Sequence, residues 1–320
     1  MSATLNVLLP GYDKLRFLDV FAQWVARGTE RPAAPPGYLH ALAEHFRWPA
    51  GPLPVAALIR QSVAGDAGDA LWVCADPAWV QPELSGARLL ACGNLAVSAA
   101  DAASMVDALG ETFAEEGMAL FVGDPQHWQL KVPSYVQVPA FPEPEEALGA
   151  DLFEQLPKGD DGRRWRALIN EAQVVLHNHP ANADRQYNGL PPVNSIWLWG
   201  AGALPDWVEC GQSHIYSDDL LVWALGQKSG TDVQGRSALV GARPARDPRP
   251  PQTPSPTNTP STVTLLDLQD IQPGDFAQTW WPFLEARLEA GSELCLSFAD
   301  GRRTVVHKRH RLRFWRKAKT

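Results

Sequence analysis

The residues best suited to chemistry lie between His177 and Gly202. His179, Asn182, Arg185 and Asn194 are spaced along a segment interrupted by Pro180, Pro191 and Pro192, and Trp199, Gly200 and Gly202 follow it. Arg185 offers a planar fork that matches a carboxylate or a phosphate. The two asparagines offer amide donors and acceptors, and the two glycines let backbone approach a ligand closely. The prolines stop helices, so the stretch is expected to be one long loop on rigid flanks, where binding sites tend to sit. A small anionic ligand held by His179, Asn182, Arg185, Asn194, Trp199, Gly200 and Gly202 is one reading. The other is structural: Asn and Arg cap a helix and tie the loop down, while both tryptophans pack in the core.

Other groupings are thinner. His177 and His179 could join Cys210 and His214 around zinc, but a strand is expected between the two pairs. Ser213-His214 lies near Asp218-Asp219 without the nucleophile elbow a triad of this kind needs. No metal site, catalytic set or cofactor-binding pattern is read from the residues themselves.

The run His-Pro-Ala-Asn-Ala-Asp-Arg (His179 to Arg185), then Gly189, Pro191, Asn194 and Ile196-Trp-Leu-Trp-Gly-Ala-Gly202, resembles a signature of the archaeal-type cofactor-independent phosphoglycerate mutases. The likeness runs from Arg163 to Gly226, where Ser217-Asp-Asp-Leu-Leu-Val-Trp-Ala-Leu-Gly226 also fits. A bacterial group described as phosphoglycerate mutase-like, or as regulators of pathogenicity factors, is similar over more of the chain, including Ala75-Asp-Pro77 and Phe314-Trp-Arg316. The resemblance implies an alkaline-phosphatase-like fold, two metal ions held by Asp and His, and a Ser nucleophile. A two-metal site needs several carboxylates and imidazoles at close quarters. The chain has no Asp-x-His, Asp-His or Gly-His. The family's first strand ends in Asp-Gly, whereas here it ends in Pro10-Gly11.

The positioning elements follow from periodicity. Leu5 to Leu9 reads as a strand, and Leu15, Leu18, Phe21 and Val25 fall on one face of a helix closed near Gly28. Leu71 to Ala75 reads as a strand stopped by Asp76-Pro77, and Leu89 to Cys92 as another. Ser98 opens a helix running to about Glu116, with Ala119 to Val122 and Trp128 to Val132 as strands beyond it. Trp165, Leu168, Ile169, Ala172, Val175 and Leu176 share one helical face. Val193 to Trp199 reads as a strand, and Ser217 and Asp218 as caps of a helix through Leu225. After the linker come a strand (Thr262 to Leu266) and a Trp-rich helix. Leu294 to Phe298 and Thr304 to Trp315 are expected to form a hairpin about Asp300-Gly301. The expected fold class is α/β of the mixed α+β kind, with mixed sheet layers and flanking helices and a small C-terminal piece. The expected divisions are 1–150, a signature region 151–242, a Pro-rich linker 243–261 and a helix-and-hairpin piece 262–320.

Composition bounds the rest. The 320 residues are 45% hydrophobic and 20% charged, and 13 are Trp, which reads as a Trp-rich core. The four cysteines form no CxxC and read as reduced thiols. No targeting segment or membrane span is read, so a cytoplasmic protein is expected. The net charge of −8 argues against a dedicated nucleic-acid binder. Arg302 to Lys319 is nonetheless strongly basic, and it leaves an anion-binding or nucleic-acid-touching strip open, or docking on a protein partner. Three functions follow: a non-catalytic, regulatory relative of the mutases that binds a small anion; a divergent phosphotransfer enzyme; or an interaction protein working through its basic C-terminal hairpin.

Overall fold

The computed structural model describes residues 3–84, 86–240, 263–313 and 315–316. The linker expected at 243–261 lies outside them. The described chain is mixed α/β and divides into two compact units. The first joins residues 1–47 to 207–320, and the second is the continuous stretch 48–206. The division in chain order expected from the sequence therefore does not describe the packing. The C-terminal segment, read as a separate piece beyond the linker, supplies both neighbours of the first strand.

In the first unit the strand Thr4–Leu9 lies between Val263–Asp267 and Glu293–Phe298, parallel to both. His214–Tyr216 and Asp232–Gln234 extend the parallel part beyond Val263–Asp267. Arg303–Val306 and Thr29–Glu30 complete the other side antiparallel. Alternation in the central strands puts Leu5, Val7, Leu9, Leu294, Leu296 and Phe298 into one core. Phe21 and Trp24 of helix Asp19–Arg27, and Leu284 and Leu288 of helix Trp281–Glu289, close over that face. Phe21 is the hub: its ring meets Phe276 at 4.9 Å and Trp281 at 5.1 Å, both edge-on, the arrangement aromatic quadrupoles favour.

The expected C-terminal hairpin forms only in part. Arg303–Val306 pairs with Glu293–Phe298 as anticipated, but Lys308–Leu312 is a 3-10 helix rather than strand. Leu312 is 67% exposed, and Phe314 lies outside the described residues. His307 causes the break. Its Nδ1 accepts the Arg309 N–H, and the His307 N–H is donated to His310 Nδ1, a reciprocal cap that starts a helical turn.

In the second unit the long strand Leu71–Glu83 pairs with Gly86–Cys92, His127–Val132 and Ser195–Gly202. It runs straight through Pro77, which was expected to stop it. Ala99–Ala114 is capped by Ser98, whose Oγ accepts the Asp101 N–H, as its sequence suggests. Helix Gly159–His177 packs on Ser195–Gly202, and helix Val55–Ala64, which the sequence reading missed, packs on both that strand and Leu71–Glu83. Trp72, Trp128, Trp165 and Trp197 are fully buried, so the tryptophan surplus is largely core. Among the described residues no helix is long and apolar enough to cross a membrane.

Candidate functional site

The stretch after His177 is not one loop. Pro180 precedes a short helix, Ala181–Tyr187, because proline's fixed φ suits a helix start as well as it ends one. Asn182 in that helix donates through Nδ2 to the Leu176 and Val193 carbonyls at 2.7 and 2.9 Å, and its Oδ1 accepts the Val193 N–H. Asn194 does the same for the long strand: its Oδ1 accepts the Val80 N–H and its Nδ2 donates to the Val80 carbonyl, both at 2.8 Å. Arg185 is buried, 2% exposed, and donates to the carbonyls of Pro191, Ala96 and Leu95. Burial pulls its guanidinium below the usual range, and Asp101 partly offsets this. Ala96 has a φ of +49°, the left-handed region that costs a non-glycine residue, so Arg185 clamps a strained turn.

His179 accepts the Ala181 N–H through Nδ1 and lies 3.3 Å from Ser104 Oγ through Nε2. The Trp199 indole donates to Asp76 Oδ2 at 2.7 Å, inside the sheet. Gly200 has a φ of +59°, and a Cβ there would lie 2.7 Å from Val55 Cβ; one on Gly202 would lie 2.5 Å from Pro54 Cβ. These glycines admit helix Val55–Ala64 and its entry. His179, Asn182, Arg185 and Asn194 thus gather about one corner of the second unit, while Trp199, Gly200 and Gly202 lie along a strand in its sheet. In this geometry the amide, guanidinium and indole groups are engaged by protein.

The first unit holds a cluster that sequence reasoning did not assemble. In open α/β sheets, ligands bind outside the carboxyl ends of the parallel strands. There, Ser217 follows His214–Tyr216 and Asp267 ends Val263–Asp267. Ser217 Oγ donates to Asp267 Oδ2 at 2.8 Å and accepts the Asp219 N–H at 2.9 Å. Asp219, rather than Ser217 or Asp218, caps the following helix, Leu220–Ser229, by accepting the Val222 N–H. Asp267 is 3% exposed, and its pKa is pushed up to about 7, first by burial and then by the charge of Asp219. Tyr38 lies beside both carboxylates. Burial, and then their charge, holds its phenol well above its usual value. Asp218 is turned away to Arg236, at 2.7 Å from Nε, and Arg236 also grips Asp270. The signal in the sequence was a pair of short apolar runs each ending in Ser or Asp, but only the strand pairing reveals that they are neighbours.

No family model matches. A probable 2,3-bisphosphoglycerate-independent phosphoglycerate mutase of Geobacter sulfurreducens is 45% identical over 62 residues, 19% of this chain and 16% of that protein. This chain shares a segment with the cofactor-independent phosphoglycerate mutases. A mutase of Methanosarcina mazei is 42% identical over the same length. Mutase 2 of Methanothermobacter thermautotrophicus is 31% identical over 113 residues, 27% of its length. The match thus spans under a third of each of these mutases. Among solved structures, the cofactor-independent phosphoglycerate mutase of Thermoplasma acidophilum aligns with 96% of this chain and 89% of its own, at 15% identity and a TM-score of 0.37.

The two metal ions that the mutase resemblance implies can be tested against the side chains. Among the described residues no group of three or more His, Cys, Asp or Glu is placed to hold a metal ion. At the carboxyl edge, Asp267 Oδ2 is taken up by the Ser217 hydroxyl. The described residues do not fit a two-metal centre.

Proposed function

We propose that this chain is a non-catalytic, regulatory relative of the cofactor-independent phosphoglycerate mutases, a cytoplasmic protein that acts by binding a small phosphorylated or carboxylated ligand. The observation that carries the reading is the bond between Ser217 Oγ and Asp267, in a cluster that is buried and satisfied from within. A serine that attacks phosphorus must present its oxygen to substrate and lose its proton to a base or metal. Here Ser217 is buried, its hydroxyl donating to Asp267 and accepting the Asp219 N–H, so its oxygen is engaged inside the protein rather than presented to a substrate. The mutase-like signature supports the reading as architecture, because its polar side chains are spent on backbone carbonyls and N–H groups.

Metal analysis of the purified full chain, followed by a mutase assay with 3-phosphoglycerate after incubation with Mn or Zn, tests this. The expected result is no stoichiometric metal and no turnover. Stoichiometric metal accompanied by conversion of 3-phosphoglycerate would overturn it and return the divergent-enzyme reading.

A further inference from the structure

The opposite edge of the first unit's sheet carries a different feature. Glu293 opens the strand Glu293–Phe298 and pairs in register with Thr4, the first residue of the central strand. Val306 ends the antiparallel neighbour. A depression of about 450 Å³ opens at this amino edge. Its wall holds three guanidinium groups, Arg31, Arg309 and Arg313, two imidazoles, His307 and His310, and one carboxylate, Glu293.

The basic segment is not uniformly charged once its ion pairs are assigned. Lys308 and Arg311 both pair with Glu289, at 3.2 and 3.3 Å, and Arg303 pairs with Glu44 at 3.1 Å. Arg302 covers the Tyr12 ring. Arg313 reaches the Arg27 and Gly28 carbonyls and Thr29 Oγ1, which hold it in place without cancelling its charge. Neither Arg31 nor Arg309 has an ion-pair partner among the described residues. Arg309 and Arg313, two of the segment's arginines without an ion pair, thus line the depression together with Arg31.

The histidines add donors. His307 Nδ1 accepts the Arg309 N–H and His310 Nδ1 accepts the His307 N–H, so each neutral ring carries its proton on Nε2. Burial, then Arg313 and His307, lowers the His310 pKa, in keeping with a neutral ring. The wall is thus rich in N–H donors and short of acceptors, which is the complement of an oxyanion.

We propose that this depression binds a small tetrahedral oxyanion, either inorganic phosphate or the phosphate of a small monoester, between Arg31, Arg309 and Arg313. The net charge of −8 on the whole chain works against a long polyanion while leaving a small dianion free to reach a local positive well. The site rests on the reading that this chain binds rather than converts, but it stands at the other edge of the sheet from Ser217 and Asp267.

The test is calorimetric titration of the full chain with inorganic phosphate, and separately with glycerol phosphate, at ionic strength held constant with chloride. Arg31→Gln and Arg309→Gln are compared with Lys308→Gln, which removes the same charge from the same segment but outside the depression. Circular dichroism melts establish that all three fold. Saturable one-to-one binding, weakened about tenfold by each arginine change and unaltered by Lys308→Gln, is expected. Tighter binding of glycerol phosphate would assign the site to monoesters, and equal binding to the free ion. No saturation at millimolar phosphate, or equal weakening by all three variants, would overturn the site. A single-stranded oligonucleotide that binds more tightly than either, and is lost in the same variants, would overturn the small-ion assignment in favour of a nucleic-acid surface. Turnover of 3-phosphoglycerate would end the non-catalytic reading and leave this titration standing; a failed titration ends only this site.

Discussion

Replacing Arg185 with alanine separates the two meanings of the signature. The side chain makes three hydrogen bonds to carbonyls, from Nε to Pro191 at 2.9 Å, from Nη1 to Ala96 at 3.3 Å and from Nη2 to Leu95. Hydrogen bonds with a charged partner are worth about 1.5–3 kcal/mol each, and a buried acceptor left alone costs about as much again as a neutral bond. Water entering the vacated space would recover part of this. The expected loss is therefore about 3–5 kcal/mol, at the diagnostic end for single substitutions. For a unit of this size that is on the order of 10 °C in Tm. Urea unfolding of the full chain, followed by tryptophan fluorescence, reads it, since Trp72, Trp128, Trp165 and Trp197 are all buried in the unit that contains Arg185. Arg185→Lys should lose nearly as much, because an ammonium cannot reproduce the planar fork that reaches three carbonyls at once. Unfolding of Arg185→Ala within about 0.5 kcal/mol of wild type, the range of an ordinary surface change, would refute this structural role. If such a variant also lost its stabilisation by anions, Arg185 would be a ligand contact.

Two further outcomes follow. Asp267 titrates at about 7 in the folded chain against an ordinary value of 3.8, so the folded state holds a proton that the unfolded state has released across that interval. Its contribution is favourable at low pH and is lost as pH rises from about 4 to about 7; Asp267→Asn should flatten that part of the stability–pH curve, and an unchanged slope would show that Asp267 ionises normally. Gly200→Ala puts a Cβ 2.7 Å from that of Val55 at a φ of +59°, so a loss of about 2–4 kcal/mol in the same urea assay is expected, and a neutral variant would mean that helix Val55–Ala64 shifts freely.

Much of the local structure was legible from periodicity alone. Ser98 capping its helix, the Trp165 face and the Asp300-Gly301 turn all follow rules that operate within a few residues. What escaped was whatever depended on partners far away in sequence. Asp76-Pro77 looks like a strand end, yet the strand continues because Asp76 is fixed by Trp199 across the sheet. Asn182 and Arg185 have the right chemistry for an anion, and nothing local indicates that Leu176, Val193, Ala96 and Leu95 will absorb it first. Ser217 and Asp267 meet only because their strands are neighbours in one sheet. The basic segment was visible, but the few arginines left without an acid could be told apart only once Glu289 and Glu44 had claimed the others.

The placement of Thr4–Leu9 between two strands from the far end of the chain has a consequence during synthesis. Thr4 must wait for Val263 and for Glu293 before either of its edges is paired. At about 5–20 residues per second the ribosome needs on the order of ten to fifty seconds to deliver them. Through that interval an apolar strand with two open edges, and Phe21 and Trp24 behind it, has no sheet to join. Residues 48–206 are continuous and can complete their own sheet in the meantime. The nascent chain thus carries one unit able to close on its own and one strand that stays unpaired until residues 263–267 and 293–298 have emerged.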